Sequence, residues 1–456
     1  MTMTTQRHSD RPASSTTAFH DLTAMTRDEI SCLFVRAEQD LEPFVEKARP
    51  IVDAVRNDGD AAVIRYAREF DGADLTKTGI VVSDREFADA FDAVDPAMIE
   101  TLEFAADNIR RFHEAQRPGE MWMKEMSRGV FAGERWTPVD SAAVYVPRGK
   151  GSFPSVALMT AIPAVVAKVP QIVLLTPAGS DGKADAATLI AARIAGVELV
   201  CKAGGAVAVA AAAFGTASIP RCSRLEGPGS PWVLAAKRLL HGVLTSRVPA
   251  GPSDSIVLAD ETADPRTAAL DLLIEAEHGP DSSAFLVTTC RRLAEEAMVE
   301  IDSLLGQMNA TRAGFARAVL GGTRGGIVFA PSIEKAYGFV NDCAPEHLQI
   351  LSDSPFDHLS EIRNASEILL GHHAPGSIAN YVLGPNAVLP TAGSARNQSP
   401  LGVADFMKSA SVGYLTERGY TSLAGHTRRF AQYEGFDAHA NAVSSLRPAG
   451  ASRDRL

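Results

Sequence analysis

Cysteine is scarce in this sequence, and it does not occur in the pairs that metal-binding ribbons and disulfide frameworks use. The five cysteines are scattered, and no two of them form a Cys-x-x-Cys motif. An odd and dispersed set is typical of a protein kept in a reducing compartment. The pattern argues against a disulfide-stapled secreted domain and predicts a cytoplasmic location.

Long apolar runs and an excess of basic residues are also missing. No apolar stretch approaches the roughly 18 residues that span a membrane, and residues 1–17 are polar and lack the apolar segment of a signal peptide. The formal net charge of -11 provides no basic surface of the kind that nucleic acids bind. We therefore expect neither a membrane nor a nucleic acid as a partner.

What the sequence does contain is an alternation of short β-branched runs with helical segments. Strands are predicted near residues 142–146, 171–176 and 197–201 and, in a second series, near 256–259, 284–288, 326–330, 348–351 and 368–370. This alternation predicts an α/β fold with two doubly wound, Rossmann-like parallel-sheet units. The N- and C-terminal segments, including the stretch from about Leu401 onward, are predicted to be helical.

The predicted domain organisation follows from the same alternation, because 456 residues exceed one ordinary domain. We expect a disordered leader at residues 1–18, a helical arm at 19–41, a discontinuous α/β domain at 42–144 and 254–401, a Rossmann-like domain at 145–253 and a helical segment at 402–456.

The first candidate site is the pair Glu275 and His278, which are three residues apart on a predicted helix and so share one face. A carboxylate and an imidazole at this spacing suit a divalent cation. The Gly279-Pro280 pair ends the helix and places His278 near a mouth. An exposed glutamate beside a helix-terminal histidine stabilised by the helix dipole fits the same spacing.

Two further histidines have acidic neighbours. Glu346 and His347 enter a predicted strand and suit an acid/base pair, but adjacent strand residues point to opposite faces, so both reach one pocket only if the strand has not begun. Glu434 and His439 lie near the C-terminus, where a histidine is either a surface residue or reaches into a site.

Glycine and proline punctuate the first strand series. Gly204-Gly205 precede a helix and permit a phosphate to approach its start. No Gly-x-Gly-x-x-Gly fingerprint is present, so the usual dinucleotide signature is missing. In an α/β protein, such glycines are often only turns.

Taken together, these segments resemble the histidinol dehydrogenase family in order and spacing, over roughly residues 22–443. The matching segments are Tyr145-Val-Pro147, Thr176-Pro177, Gly204-Gly-Ala206, Phe214-Gly-Thr216, Gly227-Pro-Gly229, Pro249-Ala-Gly-Pro-Ser253, Ala259-Asp-Glu-Thr-Ala-Asp264, Ala276-Glu-His-Gly-Pro-Asp281, Ala344-Pro-Glu-His-Leu348, Val388-Leu-Pro-Thr391 and Glu434–Asn441.

The resemblance implies a homodimer that binds zinc and NAD and oxidises an alcohol in two successive hydride transfers. It implies that Glu346 activates water and that His347 is the general base. The implied zinc ligands, which also contact substrate, are Glu275, His278, Asn380 and His439, the last from the partner subunit. Ser253, His347 and Glu434 would also contact substrate, and Tyr145, Val207 and Ser230 would bind NAD.

The sequence departs from the family pattern at several of these positions. The family usually has glutamine at Glu275 and aspartate at Asn380, so the two changes together retain one carboxylate and one carboxamide. A family histidine near the substrate is replaced by Ala387. Val207 replaces a glutamine of the family, Ser230 replaces an asparagine and Arg148 replaces a glycine. The guanidinium of Arg148 would either pair with an anionic group or point into solvent.

These departures predict an NAD-linked zinc alcohol dehydrogenase whose substrate is a small polar primary alcohol other than histidinol. Relatives that oxidise sulfopropanediol illustrate such a change. Two alternatives remain open, namely a true L-histidinol dehydrogenase of histidine biosynthesis and a non-catalytic zinc-binding dimer derived from the enzyme.

Overall fold

Short strands alternate with helices along most of the chain in the computed structural model, which describes residues 16–36, 41–149 and 151–447. Of the predicted segments, residues 1–15 of the leader, residues 37–40 of the N-terminal arm and residues 448–456 at the C-terminus lie outside the described residues.

The strands are β1 Phe19–Asp21, β2 Met121–Ser127, β3 Val130–Pro138, β4 Ala142–Tyr145, β5 Ile172–Thr176, β6 Leu199–Lys202, β7 Arg224–Glu226, β8 Asp254–Ala259, β9 Ser283–Thr288, β10 Gly325–Phe329, β11 His347–Leu351, β12 Glu367–Leu370 and β13 Met407–Leu415.

The helices are α1 Arg27–Cys32, α2 Glu42–Asp58, α3 Asp60–Asp71, α4 Leu75–Thr78, α5 Asp84–Ala93, α6 Pro96–Gln116, α7 Pro154–Val166, α8 Ala186–Ala195, α9 Gly205–Phe214, α10 Pro231–Leu239, α11 Pro265–Ala276, α12 Arg291–Leu305, α13 Ala310–Leu320, α14 Ile333–Cys343, α15 Pro355–Leu359, α16 Gly376–Tyr381, α17 Glu417–Tyr433 and α18 Asp437–Ala442.

The described residues divide into two units. The first consists of the residues up to Arg117 together with Val139–Phe406, and the second of Pro118–Pro138 together with the residues from Met407 onward. The domain boundaries at residues 145 and 253 stay a prediction.

The first unit contains two parallel sheets with related strand orders. One has four strands in the order β6-β5-β4-β7, and the other has six in the order β1-β10-β9-β8-β11-β12. In the four-stranded sheet, β4 has β5 and β6 on one side and β7 on the other. In the six-stranded sheet, β8 likewise has β9 and β10 on one side and β11 on the other. This is the order of a Rossmann-like half, so the predicted fold class is confirmed.

The six-stranded sheet is covered on both faces because its strands carry apolar residues at consecutive positions. In β8, Val257 and Ala259 pack with α11, α12 and α13, whereas Ile256 and Leu258 pack with α14 and the segment around Leu33. Side chains of a strand alternate between the two faces. A strand that is apolar at every position therefore needs a helical layer on each side.

The four-stranded sheet positions the start of an alanine-rich helix. Residues 206–213 of α9 are all buried and pack with α2, α3 and α10 over Tyr145, Val173 and Cys201. Small side chains let this helix approach the sheet closely, and Gly215 ends it with a φ of 75°. The start of α9 is thereby fixed at the carboxyl edge of the sheet.

The second unit differs from the purely helical C-terminal segment that we expect from the sequence. Residues Met407–Leu415 form strand β13, which pairs antiparallel with β3 of the β2–β3 hairpin. Helices α17 and α18 follow. The helical prediction for residues from 401 is therefore wrong at this strand, whose alternation of small and polar residues, Ser409 and Ser411 among them, carries no helical signal.

The N-terminal arm also begins with a strand. Phe19–Asp21 pair in parallel with Ile327–Phe329 at the edge of the six-stranded sheet, and helix α1 follows. Among the described residues no helix combines the length and the hydropathy needed to cross a lipid bilayer.

Candidate active site

A cleft of about 940 Å³ in the first unit brings together six of the residues singled out in the sequence. These residues are Ser253, Glu275, His278, Glu346, His347 and Asn380. Ser253 immediately precedes β8, and His347 is the first residue of β11.

The cleft thus lies at the amino ends of the strands of the six-stranded sheet. Open parallel sheets usually bind their ligands beyond the carboxyl ends of the strands, so a sequence-based expectation of site residues at those ends is wrong here. The reason is topological. Helix α11 runs back from the carboxyl edge of β8, so Glu275 and His278 at its far end return to the amino edge.

Glu275 is the centre of a cluster of polar side chains. Its Oε1 accepts a hydrogen bond of 2.9 Å from Nδ2 of Asn380, and its Oε2 lies 3.2 Å from Nδ1 of His278. The carboxylate is 3% exposed, so these partners replace its water. Glu275 and Asn380, the two implied zinc ligands that depart from the family pattern, are therefore hydrogen-bonded to each other.

Glu346 and His347 reach the same cleft although they are adjacent in sequence. Nε2 of His347 lies 3.7 Å from Oε1 of Glu346 and 3.9 Å from Oε1 of Glu275. Glu346 comes one residue before β11 begins, so the strict alternation of a strand does not apply to it. Both side chains are buried, and an imidazole and two carboxylates meet at the floor of the cleft.

A third carboxylate holds His347 from behind. Oε2 of Glu367 lies 2.8 Å from Nδ1 of His347. Glu367 is the first residue of β12 and is paired directly with His347 in the parallel register of β11 and β12. The bond fixes the ring plane and directs Nε2 toward the cleft.

Glu346 is positioned by Asp254. The backbone N–H of Asp254 donates to Oε2 of Glu346 at 3.1 Å, and the N–H of Glu346 donates to Oδ1 of Asp254 at 2.8 Å. The other oxygen of Asp254 lies 3.5 Å from Nε of the buried Arg36. This reciprocal pair locks the start of β8 to the start of β11.

The charges of the cluster shift its pKa values strongly. Burial by itself raises the pKa of Glu275, but the charges of His347 and His278 and hydrogen bonds from Asn380 and Ser253 outweigh it and lower that pKa. Burial raises the pKa of Glu346 well above its usual value, and the nearby Glu275 and Asp254 add to the rise.

For His347, burial favours the neutral ring, yet Glu275, Glu346 and Glu367 together raise its pKa to about 10. The charges of these three carboxylates therefore favour the protonated form of the His347 ring.

The side chains around Glu275 are of types that bind zinc, but they do not provide enough ligands for a complete zinc site. His278 uses Nδ1 toward Glu275 and the Ile274 carbonyl, and Asn380 uses Nδ2, so Nε2 of the histidine and Oδ1 of the amide remain as ligating atoms. In the described part of the chain, no group of three or more His, Cys, Asp or Glu residues is arranged to hold a metal ion. A tetrahedral site needs a further donor.

A second cleft, of about 410 Å³, lies beside the start of α9. Val207 and Ser230 line it, together with Gly204, Gly205 and Asp71. Tyr145 lies behind this cleft, where its hydroxyl accepts a hydrogen bond of 3.1 Å from the Gly205 N–H. The three residues that the resemblance implies for NAD thus surround one helix start.

Two departures from the family pattern have clear surroundings. Nη1 of Arg148 donates to the Lys183 carbonyl at 2.8 Å, so this guanidinium is held against the loop after β5 and does not line either cleft. Ala387 lines the larger cleft, whose lining also includes the apolar residues Leu102, Leu158 and Val382. A methyl group therefore stands in this lining where the family places a histidine.

Glu434 and His439 belong to the second unit. Glu434 is the residue after α17, His439 lies within α18, and both are exposed. Phe436 packs on the His439 ring, with the ring centroids 5.3 Å apart.

Sequence reasoning misses Glu367, Asp254 and Arg36. Asp254 directly follows the Pro249–Ser253 motif, so a carboxylate at the start of a predicted strand is the feature of the sequence that could have identified it. Glu367 lies 20 residues from His347, and only the pairing of β11 with β12 connects the two. Arg36 gives no signal in the sequence.

Comparison with known proteins yields a family whose description is histidinol dehydrogenase and whose profile matches residues 34–447. A protein of Mesorhizobium japonicum named histidinol dehydrogenase homolog 2 is 55% identical, with 95% of this chain and 98% of that protein covered. A histidinol dehydrogenase of Synechocystis sp. is 46% identical, with 92% and 97% covered.

Among solved structures, the crystal structure of histidinol dehydrogenase from Elizabethkingia anophelis matches with a TM-score of 0.89. It is 31% identical in sequence, and the match covers 94% of this chain and 98% of that one.

Proposed function

This chain belongs to the histidinol dehydrogenase family, and on that premise we propose that it oxidises a small polar primary alcohol with NAD at a zinc ion, through the aldehyde to the carboxylate. The observation that carries the proposal is the convergence of Glu346 and Glu275 on His347, whose Nε2 lies 3.7 and 3.9 Å from their Oε1 atoms.

The residues of this chain have separable roles in that reaction. Glu275, Asn380 and His278 would hold the zinc ion, with a fourth ligand, the partner subunit's His439. When bound, the ion would polarise the hydroxyl of the substrate and offset the charge of Glu275. Ser253, which hydrogen-bonds to Glu275 and lines the same cleft, would contact the substrate.

Proton transfer would fall to the pair at the cleft floor. His347 presents Nε2 to the cleft, where the charge of Glu275 favours its protonated form. With that charge offset by a bound cation, the neutral ring would receive the hydroxyl proton as hydride passes from the carbinol carbon to NAD. Glu346, buried beside it, positions the water that adds to the aldehyde and takes its proton. Transfer of hydride from the resulting hydrate to a second NAD would then give the carboxylate.

The substrate wall supports an alcohol other than histidinol. A methyl group at Ala387 neither donates nor accepts a hydrogen bond, and the lining of the same cleft includes the apolar residues Leu102, Leu158 and Val382. A site that recognises a polar group through a hydrogen bond loses several powers of ten in discrimination when that bond is missing.

A homodimer fits the exposed surface of the second unit. Trp122, Phe430 and Tyr433 are 54%, 71% and 94% exposed, which is costly for a monomer in water. In the proposed dimer, the partner subunit would supply Glu434 and His439 to the metal cluster. The free thiols at all five cysteines support a reducing, cytoplasmic location.

A true L-histidinol dehydrogenase is the second candidate. It is favoured by the 46% identity to the Synechocystis protein of that name. A non-catalytic zinc-binding dimer is a third reading, which the hydrocarbon side chain of Val207 in the smaller cleft favours.

The experiment is an NAD-reduction screen of the purified protein over small diols, amino alcohols and sulfonated alcohols, with L-histidinol included. We expect one non-histidinol alcohol to exceed histidinol in kcat/KM by at least about 100-fold. His347→Asn is the matched control and should bind NADH normally but lose turnover. Histidinol as the best substrate would favour the second candidate, and zinc binding without NADH binding would favour the third.

A further inference from the structure

The smaller cleft carries an acidic residue that no family motif singles out. Asp71 is the last residue of α3, and its Oδ2 lies 3.5 Å from the position that a Cβ on Gly204 would take. The carboxylate therefore stands directly beside the start of α9. No hydrogen bond from a described residue reaches it, and its charge partner is Arg148.

The shape of this cleft suits a flat aromatic ring with a sugar attached. Tyr66 and Phe70 stack with their ring centroids 5.2 Å apart and at 10°, and with Trp232 they line the apolar side. Gly204, Gly205 and Ser230 line the polar side. Aromatic side chains beside small polar groups are what a nucleoside binds.

The loop after β7 links the two clefts. Ser230 lines the smaller cleft and Pro228 lines the larger one, which contains His347. Gly227 has a φ of 131°, and a Cβ there would lie 2.2 Å from the Tyr145 carbonyl oxygen, so the loop follows the end of β4 closely. A dinucleotide laid over this loop would place one nucleoside in each cleft.

We infer that Asp71 binds the ribose hydroxyls of the adenosine end and selects NAD over NADP. The inference rests on the proposed function only in that the smaller cleft takes a nicotinamide dinucleotide. An ionised carboxylate accepts hydrogen bonds from the 2′- and 3′-hydroxyls and repels a 2′-phosphate.

The charges around the cleft agree with that selection. Asp71 and Glu69 line it, and no lysine or arginine is among its described lining residues. The charge of Arg148 acts on Asp71, but its guanidinium donates to the Lys183 carbonyl and does not line the cleft. Among the described lining residues, a 2′-phosphate would therefore meet two carboxylates and no cation.

The test is direct titration of the full-length protein with NADH and with NADPH, followed by the fluorescence of the reduced nicotinamide, so that no alcohol substrate is needed. We expect NADH to bind at least about tenfold more tightly than NADPH. Asp71→Asn should weaken NADH binding by about tenfold and leave NADPH binding equal or tighter. Asp92→Asn, the same change at an exposed residue of α5 that lines neither cleft, should change either affinity by no more than about twofold.

Equal binding of the two dinucleotides to the wild-type protein, or an unchanged preference in Asp71→Asn, would overturn the assignment while leaving NAD-linked oxidation standing. Absence of binding of either dinucleotide would remove both proposals. The melting temperature of each variant distinguishes a lost contact from a lost fold.

Discussion

At the scale of single residues, the site is built from carboxylates that share one imidazole. Glu275, Glu346 and Glu367 all approach His347, at 3.9, 3.7 and 2.8 Å. Glu275 and Glu346 face the cleft side of the ring, whereas Glu367 holds the opposite nitrogen. The residues in the sequence motifs identify the first two, but the third comes only from strand pairing.

Glu367→Gln tests the positioning of His347. We expect kcat to fall by about 10- to 100-fold, because loss of the carboxylate frees the ring to rotate and to change tautomer, while KM changes little. Steady-state kinetics on the best alcohol measure this. Glu361→Gln, the same charge change at an exposed position, is the control. An unchanged kcat in a folded Glu367→Gln variant would show that the ring needs no such support.

Asp71 gives a second residue-scale prediction, for stability against pH. Burial raises the pKa of Asp71 to about 6 from 3.8, an effect that Arg148 only partly offsets. An acid whose pKa is higher in the folded state binds its proton more readily there. The destabilisation by the ionised Asp71 carboxylate is therefore absent below pH 3.8, grows between pH 3.8 and about 6, and is complete above that pH.

Asp71→Asn should accordingly raise the free energy of unfolding at pH 7.5, by about 1 kcal/mol after allowance for the partial exposure of the side chain. The gain should shrink toward zero at pH 4. Urea denaturation at both pH values measures it. A loss of stability at pH 7.5 would mean that the ionised carboxylate is stabilised by the folded protein.

At the scale of elements, short apolar runs are sufficient to predict most strands of the two parallel sheets. The strands predicted near residues 171–176, 284–288 and 348–351 are observed at Ile172–Thr176, Ser283–Thr288 and His347–Leu351. The three-residue strand Arg224–Glu226 goes unpredicted because a charged residue stands at each of its ends. Both of these side chains are buried, and they pair with each other at 3.7 Å, which local pattern does not reveal.

Helix α5 is attached to the four-stranded sheet by a buried ion pair. Nζ of Lys202 lies 3.0 Å from Oε2 of Glu86 and 3.1 Å from the Thr78 carbonyl oxygen, and Lys202 is 0% exposed. The other oxygen of Glu86 accepts the Ala184 N–H at 2.9 Å. The pair thus fixes helix, strand and loop together.

Glu86→Gln should destabilise the protein by about 3 kcal/mol, because it leaves a buried ammonium without its counter-charge. Glu300→Gln, which breaks the half-exposed Arg266–Glu300 pair of 2.7 Å, should cost no more than about 0.5 kcal/mol. Denaturant midpoints compare the two. Equal costs would mean that water reaches Lys202 in the folded state.

At the scale of the whole molecule, the proposed site needs two copies of the chain. Glu275, His278 and Asn380 lie in the first unit, whereas His439 lies in the second. The sequence alone does not reveal this division, because the residues of one site are separated by more than 100 positions and by a unit boundary. The resemblance to the family supplies the hypothesis of a shared site.

Subunit complementation checks the shared site. His347→Asn and His439→Ala homodimers should each be inactive. After denaturation and refolding together in equal amounts, about a quarter of all sites should combine an intact His347 with the partner subunit's intact His439, and about a quarter of the wild-type activity should return. Self-mixed samples of each variant are the controls. No recovery in a mixture shown to contain heterodimers would place His439 in the site of its own subunit or outside any site.

The central claim is that Glu275, His278 and Asn380 hold a catalytic zinc ion together with the partner subunit's His439. The most direct measurement is the metal content of the purified protein and of His278→Ala and His439→Ala, by mass spectrometry under native conditions. We predict a dimer with one zinc ion per chain, and loss of that zinc in both variants with the dimer intact. A fully active wild-type protein without stoichiometric zinc, or zinc retained in both variants, would contradict the account.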